Sequence, residues 1–422
     1  MQPFLRWKLT TITANTMKAI VLRSGYRLMA RDQPNQNKKP FNNWNAIWAR
    51  HLKIAEFNQI GFSQRVNHFP GSFHLGRKDR LWMNLKAKSD KFGEENFISF
   101  HPKSFLLPRE YEQLINYWKK SDDNAKQAEG QFSKDGKKVF ICKPPAAARG
   151  QGISIVSTLD ELQTVLTSCN TQQLPNGNSH RKDKIKMVVQ EYISNPLLLH
   201  NSAKFDLRVY ALITCISPLR LFVFDDGLVR FASTKYSKSL ESIQNQYIHL
   251  TNYSVNKTNS EYVPNKCADS QDGHKWTLKT LWKHMKKEKL GNPNHVWEQI
   301  QELILKTVIS SESNVNSLSK KHLKNKRSCF ELLGFDIMLD ENLKLWLLEV
   351  NVTPSLRADS PLDYSVKNRL VKDVLNTLGY QLSPRVRKHF NFGQLISPER
   401  SDYLNKMREP NVSKVRKIIK FF

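Results

Sequence analysis

The chain has 422 residues, enough for two or three packed units, and its 39% hydrophobic content excludes a disordered polymer. Lysine and arginine number 66 against 38 acids, a formal charge of +28, which calls for an anionic partner: nucleic acid, a membrane surface or an acidic polypeptide. No apolar run is long enough for a membrane-spanning helix, and Cys142, Cys169, Cys215, Cys267 and Cys329 form no Cys-x-x-Cys pair, the usage expected of a reducing compartment.

At the N-terminus the first acid is Asp32. Arg6, Lys8, Lys18, Arg23, Arg27 and Arg31 precede it, the composition of a mitochondrial transit peptide. Trp7, Ile12, Ile20 and Val21 equally suit a first folded unit. Residues 1–101 are basic and aromatic, with Trp44, Trp48, Phe57 and Phe62 leading into Asn67-His68-Phe69-Pro70-Gly71-Ser72 and then Gly76-Arg77-Lys78-Asp79-Arg80-Leu81-Trp82. Arginine and lysine beside tryptophan either hold an acidic or aromatic ligand or open a solvated helix. The polar stretches 121–138 and 174–186 read as loops. Short strands are expected at 139–142, 187–192, 207–215, 219–224 and 228–233.

Lys143 ends the first of these strands, where an ammonium can serve phosphates. Ala146-Ala147-Ala148-Arg149-Gly150-Gln151-Gly152 follows, small residues that let backbone N–H groups approach a polyphosphate. The pattern is neither a P-loop, for want of Gly-Lys-Ser/Thr, nor a Rossmann fingerprint, for want of the third glycine. On the strand beginning at Lys204, Lys204, Asp206 and Arg208 share one face and Phe205, Leu207 and Val209 the other, as a solvated edge strand would also show.

Trp276, Leu278, Leu281, Trp282 and Met285 recur at helical spacing, as do Val296, Ile300, Leu303, Ile304 and Val308, and both read as core stripes. Residues 330–351 then form a β-hairpin, with strands 332–339 and 343–351 about a turn at 340–342. Glu349 and Asn351 share a face. A connecting loop of two or four residues brings Asp336 onto that face, opposite Leu347 or Glu349, and a loop of three sends it away. Two carboxylates and a carboxamide on one buried face repel unless a cation joins them, and Mg²⁺ suits such oxygen ligands; a strand end meeting solvent is the plainer alternative. Strands, then helices, then the hairpin give an α+β class. Beyond about residue 383 the chain is again basic, as a flexible tail or a helix docking on an anionic surface.

Phe335-Asp336-Ile337, Leu348-Glu349-Val350-Asn351 and Thr353-Pro354-Ser355 resemble the metal-binding end of the tubulin tyrosine ligase-like family. Lys143-Pro144-Pro145-Ala146, Val188-Val189-Gln190-Glu191-Tyr192-Ile193, the strand from Lys204 and His249-Leu250-Thr251-Asn252-Tyr253-Ser254 stand in that family's order. The resemblance spans about residues 60–380 and is closest to its glutamylating branch. It implies an ATP-grasp fold with an N-terminal subdomain (1–101), a central one (102–200), a C-terminal one carrying the metal site (201–382) and a basic tail (383–422). It implies ATP on Lys143, Arg149, Gly150, Gln190, Glu191, Tyr192, Ile193, Lys204, Phe205, Asp206, Thr251 and Asn252. Mg²⁺ would sit on Asp336, Glu349 and Asn351, and free L-glutamate on Arg230, Tyr253, Ser254, Lys275 and Lys367. Lys204, Arg208 and Arg230 would act in catalysis, with Arg208 touching the transition state. The implied partners are the acidic C-terminal tails of tubulin in microtubules, with no membrane and no specific nucleic acid, for a monomeric, cytoplasmic, cytoskeleton-associated ligase. The longer polar insertion at 169–186 and Gln151 in the glycine loop depart from the family pattern.

Overall fold

In the computed structural model, residues 5–29, 44–127, 138–171, 185–268 and 270–379 are described. The basic tail expected at 383–422 lies outside them, as does most of the polar stretch 174–186. The first sheet is small and parallel, in the order β2-β1-β3-β4: β1 is Arg6–Lys8, β2 Arg27–Met29, β3 Ala46–Ile47 and β4 Arg65–Val66. The helix Asn15–Arg23 buries Met17, Ile20 and Val21 with Trp7 against Leu362, Val366 and Leu370. Residues 5–29 therefore belong to a folded core, as Trp7, Ile20 and Val21 suit.

A second sheet, antiparallel and ordered β5-β8-β6-β7, joins β5 Ser104–Leu107, β6 Phe140–Lys143, β7 Ser154–Val156 and β8 Met187–Glu191. Its outer face rests on the helices Tyr111–Gln127 and Leu159–Thr171 through Leu114, Trp118 and Leu162. Residues 121–127, expected as loop, continue the first of these helices. Once nucleated, a helix propagates through polar residues at little cost.

The third and largest sheet runs β12-β11-β10-β13-β14, with β9 (Leu198–Leu199) on the flank of β10; β10 is Ala203–Ile216, β11 Leu219–Phe231, β12 Lys275–Thr277, β13 Glu331–Leu339 and β14 Leu345–Asn351. β10 is central, so the charged alternation of its first half is not that of a solvated edge. Phe205, Leu207, Val209 and Ala211 pack with the helices Leu278–Lys287 and Pro293–His322. On its other face Lys204, Asp206 and Arg208 give way to apolar Tyr210 and Leu212, which meet the helices Asn15–Arg23 and Pro361–Leu378.

Two expected strands, 219–224 and 228–233, are one. Asp225-Asp226-Gly227 looks like a turn, but residues 224–226 bulge opposite Tyr210 between the Val209–Gly227 and Ala211–Val223 pairs. Glycine is required there, since a Cβ at 227 would lie 2.4 Å from the Arg208 carbonyl oxygen. Trp276, placed by its spacing on a helical stripe, instead lies on β12. The helix begins at Leu278 because the Thr277 side chain accepts a hydrogen bond from Thr280 N–H and caps it. Capping also fixes Pro361–Leu378, where Ser360 accepts from Asp363 N–H and left-handed Gly379 ends the last turn.

Candidate active site

Between the second and third sheets lies a cleft with about 740 Å³ of empty space. β6 delivers Lys143 and β8 delivers Gln190 from one wall, while β10 delivers Lys204 and Asp206 and the β13–β14 hairpin Asp336 and Glu349 from the other. Gly150, Thr251 and Asn252 line its mouth.

Both lysines are buried. Lys143 Nζ donates to Gln190 Oε1 at 2.7 Å, and Gln190 is held by Ser104 Oγ at 3.0 Å. Burial, with Lys78 nearby, pulls Lys143 down to about 8 although Glu349 and Asp336 work the other way. Lys204 Nζ donates to Tyr192 Oη at 2.8 Å, and Tyr192 Oη meets His249 Nδ1 at 2.8 Å. Burial and the charge on Lys143 bring Lys204 to about 7, against the pull of Asp206. Each ammonium has neutral hydrogen-bond partners, so a polyanion entering the cleft would meet two cations short of compensation.

The carboxylates are differently placed. Cross-strand pairing sets Asp206 opposite Arg230 and Arg208 opposite Asp336. Arg230 donates Nε to Asp206 Oδ1 at 2.7 Å and reaches Asp336 Oδ2 at 2.8 Å; Arg208 donates Nε to Asp336 Oδ1 at 2.5 Å and Nη2 to Oδ2 at 2.9 Å. Burial works to raise Asp336, but the two guanidiniums outweigh it and hold the carboxyl well below the usual range. Asp206, with Arg230 shared and Asp336 repelling it, stays raised by burial, and Thr251 Oγ1 donates to it at 2.7 Å. Gly334 leaves room for this packing, since a Cβ there would stand 3.1 Å from Arg208 Cδ.

The hairpin reaches its register by a route the sequence did not reveal. Asp340 N–H donates to the Lys344 carbonyl at 3.0 Å, closing the three-residue loop 341–343, with Leu343 left-handed at φ 62°. Such a loop alone would send Asp336 to the wrong face. A bulge at Leu348 then inserts one residue, so that Ile337 pairs with Leu347 but Asp336 with Glu349. Asn351 Nδ2 stands 3.1 Å from Glu349 Oε1 and 3.5 Å from Asp336 Oδ2, which gathers the three oxygen-bearing groups. The donor set is hard oxygen throughout and fits a divalent cation such as Mg²⁺.

Among the residues expected at the glutamate subsite, Lys275 Nζ and Lys367 Nζ each lie 2.8 Å from Asp363, and Lys275 Nζ is 3.6 Å from the Tyr253 ring centre. Arg230 pairs across the sheet with Lys275, so this cluster adjoins the carboxylate network. Ser254 is spent on a hydrogen bond to the Arg149 carbonyl at 2.9 Å.

Several readings need correction. The Phe205 side chain lies on the sheet face opposite the cleft, tilted against Phe231, because alternation along a strand forbids it from joining its neighbours Lys204 and Asp206. Glu191 lines the cleft, but its carboxylate is taken by Tyr117 Oη at 2.8 Å and Lys138 at 3.1 Å, so only its backbone is left for a ligand. Arg149 is exposed and outside the cleft lining, and Arg208 is occupied by Asp336. The 67–82 motif is mainly an anchor: His68 Nδ1 lies 2.7 Å from Glu331 Oε1, Ser72 also bonds that carboxylate, and Arg77 pairs with Asp79 at 2.8 Å. Lys78 was missed. It opens the helix Lys78–Phe92, and its Nζ lies 3.0 Å from Glu349 Oε2 and 2.9 Å from the Ala147 carbonyl. Only its place in a basic run could have hinted at this.

Residues 57–389 match the model of the Tubulin-tyrosine ligase family. The chain belongs to that family. It is 43% identical over 378 residues to the tubulin monoglutamylase TTLL4 of Homo sapiens, covering 90% of this chain and 28% of that protein. With the tubulin polyglutamylase ttll-4 of Caenorhabditis elegans it shares 40% identity over 343 residues, 81% of this chain and 50% of the relative. With the tubulin polyglutamylase TTLL5 of Homo sapiens it shares 36% over 341 residues, 80% and 24%. The chain thus spans a half or less of these family members' lengths. No described helix is long and apolar enough to cross a membrane.

Proposed function

We propose that this chain carries the ATP-grasp core of an ATP-dependent ligase that joins free glutamate, through an isopeptide bond, to a glutamate γ-carboxylate on acidic tubulin tails. One observation carries the reading: two buried lysines short of compensating charge, one on each wall, line a single cleft together with a cluster of hard oxygen ligands, an arrangement suited to a metal-bound triphosphate. The expected subdomains 1–101, 102–200 and 201–382 then correspond to the small parallel sheet with its helices, the four-stranded wall and the six-stranded wall. The setting is the microtubule, where the chain's positive charge steers a polyanionic tail in a salt-sensitive manner.

In the reaction the acceptor γ-carboxylate attacks the γ-phosphorus of ATP and ADP leaves. The amine of free glutamate then attacks the acyl carbon of the resulting acyl phosphate, expels phosphate and loses a proton. Lys143 and Lys204 would hold the phosphates, Thr251 and Asn252 would border the nucleotide, and Gln190 to Ile193 would offer backbone groups to the base. Asp336, Glu349 and Asn351 would hold Mg²⁺, which supplies charge neutralisation on the phosphoryl oxygens. Arg208 acts as a positioning residue that fixes Asp336. Arg230, Lys275 and Lys367 form the cationic wall that reads the incoming glutamate's carboxylates.

Incubation of the protein with tubulin, ATP and labelled amino acids, followed by mass spectrometry of the tails, tests this. Glutamate incorporation with ADP release supports it. Glycine or tyrosine incorporation overturns the choice of amino acid, glutamylation of another acidic protein alone overturns the acceptor, and tubulin binding without transfer of any amino acid overturns the ligase reading.

A further inference from the structure

A second cavity lies far from the cleft. Its floor is Phe69, Ile216 and Leu323 and its rim Lys320, Lys324 and Lys326, with about 600 Å³ of empty space. Between residues 313 and 330 the chain has no Asp or Glu but carries Lys320, Lys321, Lys324, Lys326 and Arg327. All five are exposed, and none has an acidic partner among the described residues. Ser319 lines the same cavity and keeps its hydroxyl buried with no hydrogen-bond partner among the described residues. Hydrogen bonds tie the segment that carries the rim to residues 58–62: Asn325 Nδ2 donates to the Phe62 carbonyl at 3.2 Å and His322 Nδ1 lies 3.0 Å from Asn58 Oδ1, while Asn325 Oδ1 accepts from Arg327 N–H at 3.0 Å. Beside it stands Phe62, 73% exposed.

We propose that this cavity is a second binding site for an acidic polypeptide segment, taking a glutamate side chain with its methylenes on the apolar floor and its carboxylate among the rim lysines. A pocket with an apolar base and a cationic collar fits an apolar stem ending in a carboxylate. A nucleic acid would instead call for aromatic platforms along a basic groove, and a membrane for a broad amphipathic face. Lys204 and Ile216 stand at opposite ends of β10, up to about 40 Å apart at roughly 3.3 Å per residue. An extended segment of about twelve residues therefore matches the straight-line span between both sites. The site's acceptor, though not its binding chemistry, rests on the acidic-tail reading above.

The test is fluorescence polarisation with a labelled twelve-residue oligoglutamate on the full chain, without ATP or free glutamate, so that a failed ligase reading leaves it intact. The triple variant Lys320→Ser, Lys324→Ser, Lys326→Ser is expected to weaken the peptide about tenfold. A control removing equal charge elsewhere, Lys283→Ser, Lys286→Ser, Lys287→Ser, should change affinity less than about threefold. Asn316→Trp, which fills the cavity without altering charge, should match the rim triple; should it fail to fold, Ser217→Phe fills the opposite wall. Equal losses in the rim and control triples overturn the site in favour of diffuse charge. Unchanged affinity in the rim triple or the filled variant overturns it outright. So does displacement of the peptide from the rim by an RNA oligonucleotide or phosphatidylserine vesicles at lower concentration.

Discussion

The two cation pairs at the cleft, the lysines that line it and the arginines paired to its carboxylates, obey opposite rules. Arg208 and Arg230 are locked to Asp336 and Asp206 in a closed network of four buried charges, whereas Lys143 and Lys204 have neutral partners and are pulled down to about 8 and about 7. The arginines have acidic partners before any ligand arrives, so their first effect is to fix the geometry of Asp336 and Asp206. The lysines are held in readiness, so they serve binding, at some cost to the ligand-free fold.

The largest expected effect breaks the arginine network. Asp336→Asn leaves Arg208 and Arg230 short of a counter-charge in a buried site, and chemical denaturation should show a loss of about 3–5 kcal/mol. Ligation should fall to background, because the same carboxylate belongs to the proposed metal cradle. Retained stability would mean that the network is not the structural element its geometry indicates. Lys204→Met sharpens the contrast from the other side. Removal of one phosphate donor should lower turnover on the order of a hundredfold, while the melting temperature holds or rises because a desolvated cation has gone. A lysine variant as unstable as Asp336→Asn would erase the distinction.

The proposed phosphate contacts of the two lysines also predict that nucleotide binding depends on pH. Phosphate contact requires the ammonium form. Below about pH 7 both lysines carry their protons already and affinity is at its highest. As pH rises through about 7 for Lys204 and about 8 for Lys143, binding must recruit protons. The Kd for ATP should then climb by up to about tenfold per pH unit for each lysine. Calorimetry at pH 8.5 in buffers of different ionisation enthalpy should register net proton uptake, and heats independent of buffer would refute it.

The sequence showed much of this cleft because charge at alternating positions is a local pattern. Lys204, Asp206 and Arg208 are two apart, and on a strand that alone places them together. What it hid was set by distant partners. The bulge at Leu348 decides which face Asp336 occupies, yet Leu348 is an ordinary apolar strand residue. Lys78 reaches Glu349 from 271 positions away, and the two strands expected in 219–233 run on through a bulge at 224–226 whose Asp226 accepts from Arg369 Nη2 at 2.7 Å, a residue 143 positions on. Helices were legible where apolar spacing met a cap, as at Thr277 and Asn292, and illegible at 121–127, where polar residues extend a helix begun by others.

The smallest effect concerns a charge on the rim. Arg149 sits in the glycine loop where composition suggests a phosphate ligand, but its side chain is exposed, its φ is 64°, and its carbonyl takes the Ser254 hydroxyl at 2.9 Å. The residue contributes a backbone turn, and its guanidinium lies in high-dielectric solvent where a single charge is worth well under about 1 kcal/mol. Arg149→Asn keeps a residue tolerant of the left-handed conformation while removing the charge, and should change ATP affinity by less than about threefold. A hundredfold loss would place Arg149 with Lys143 and Lys204 rather than on the solvated rim. The division between buried readiness and surface charge would then have to be redrawn around a loop that closes on its ligand.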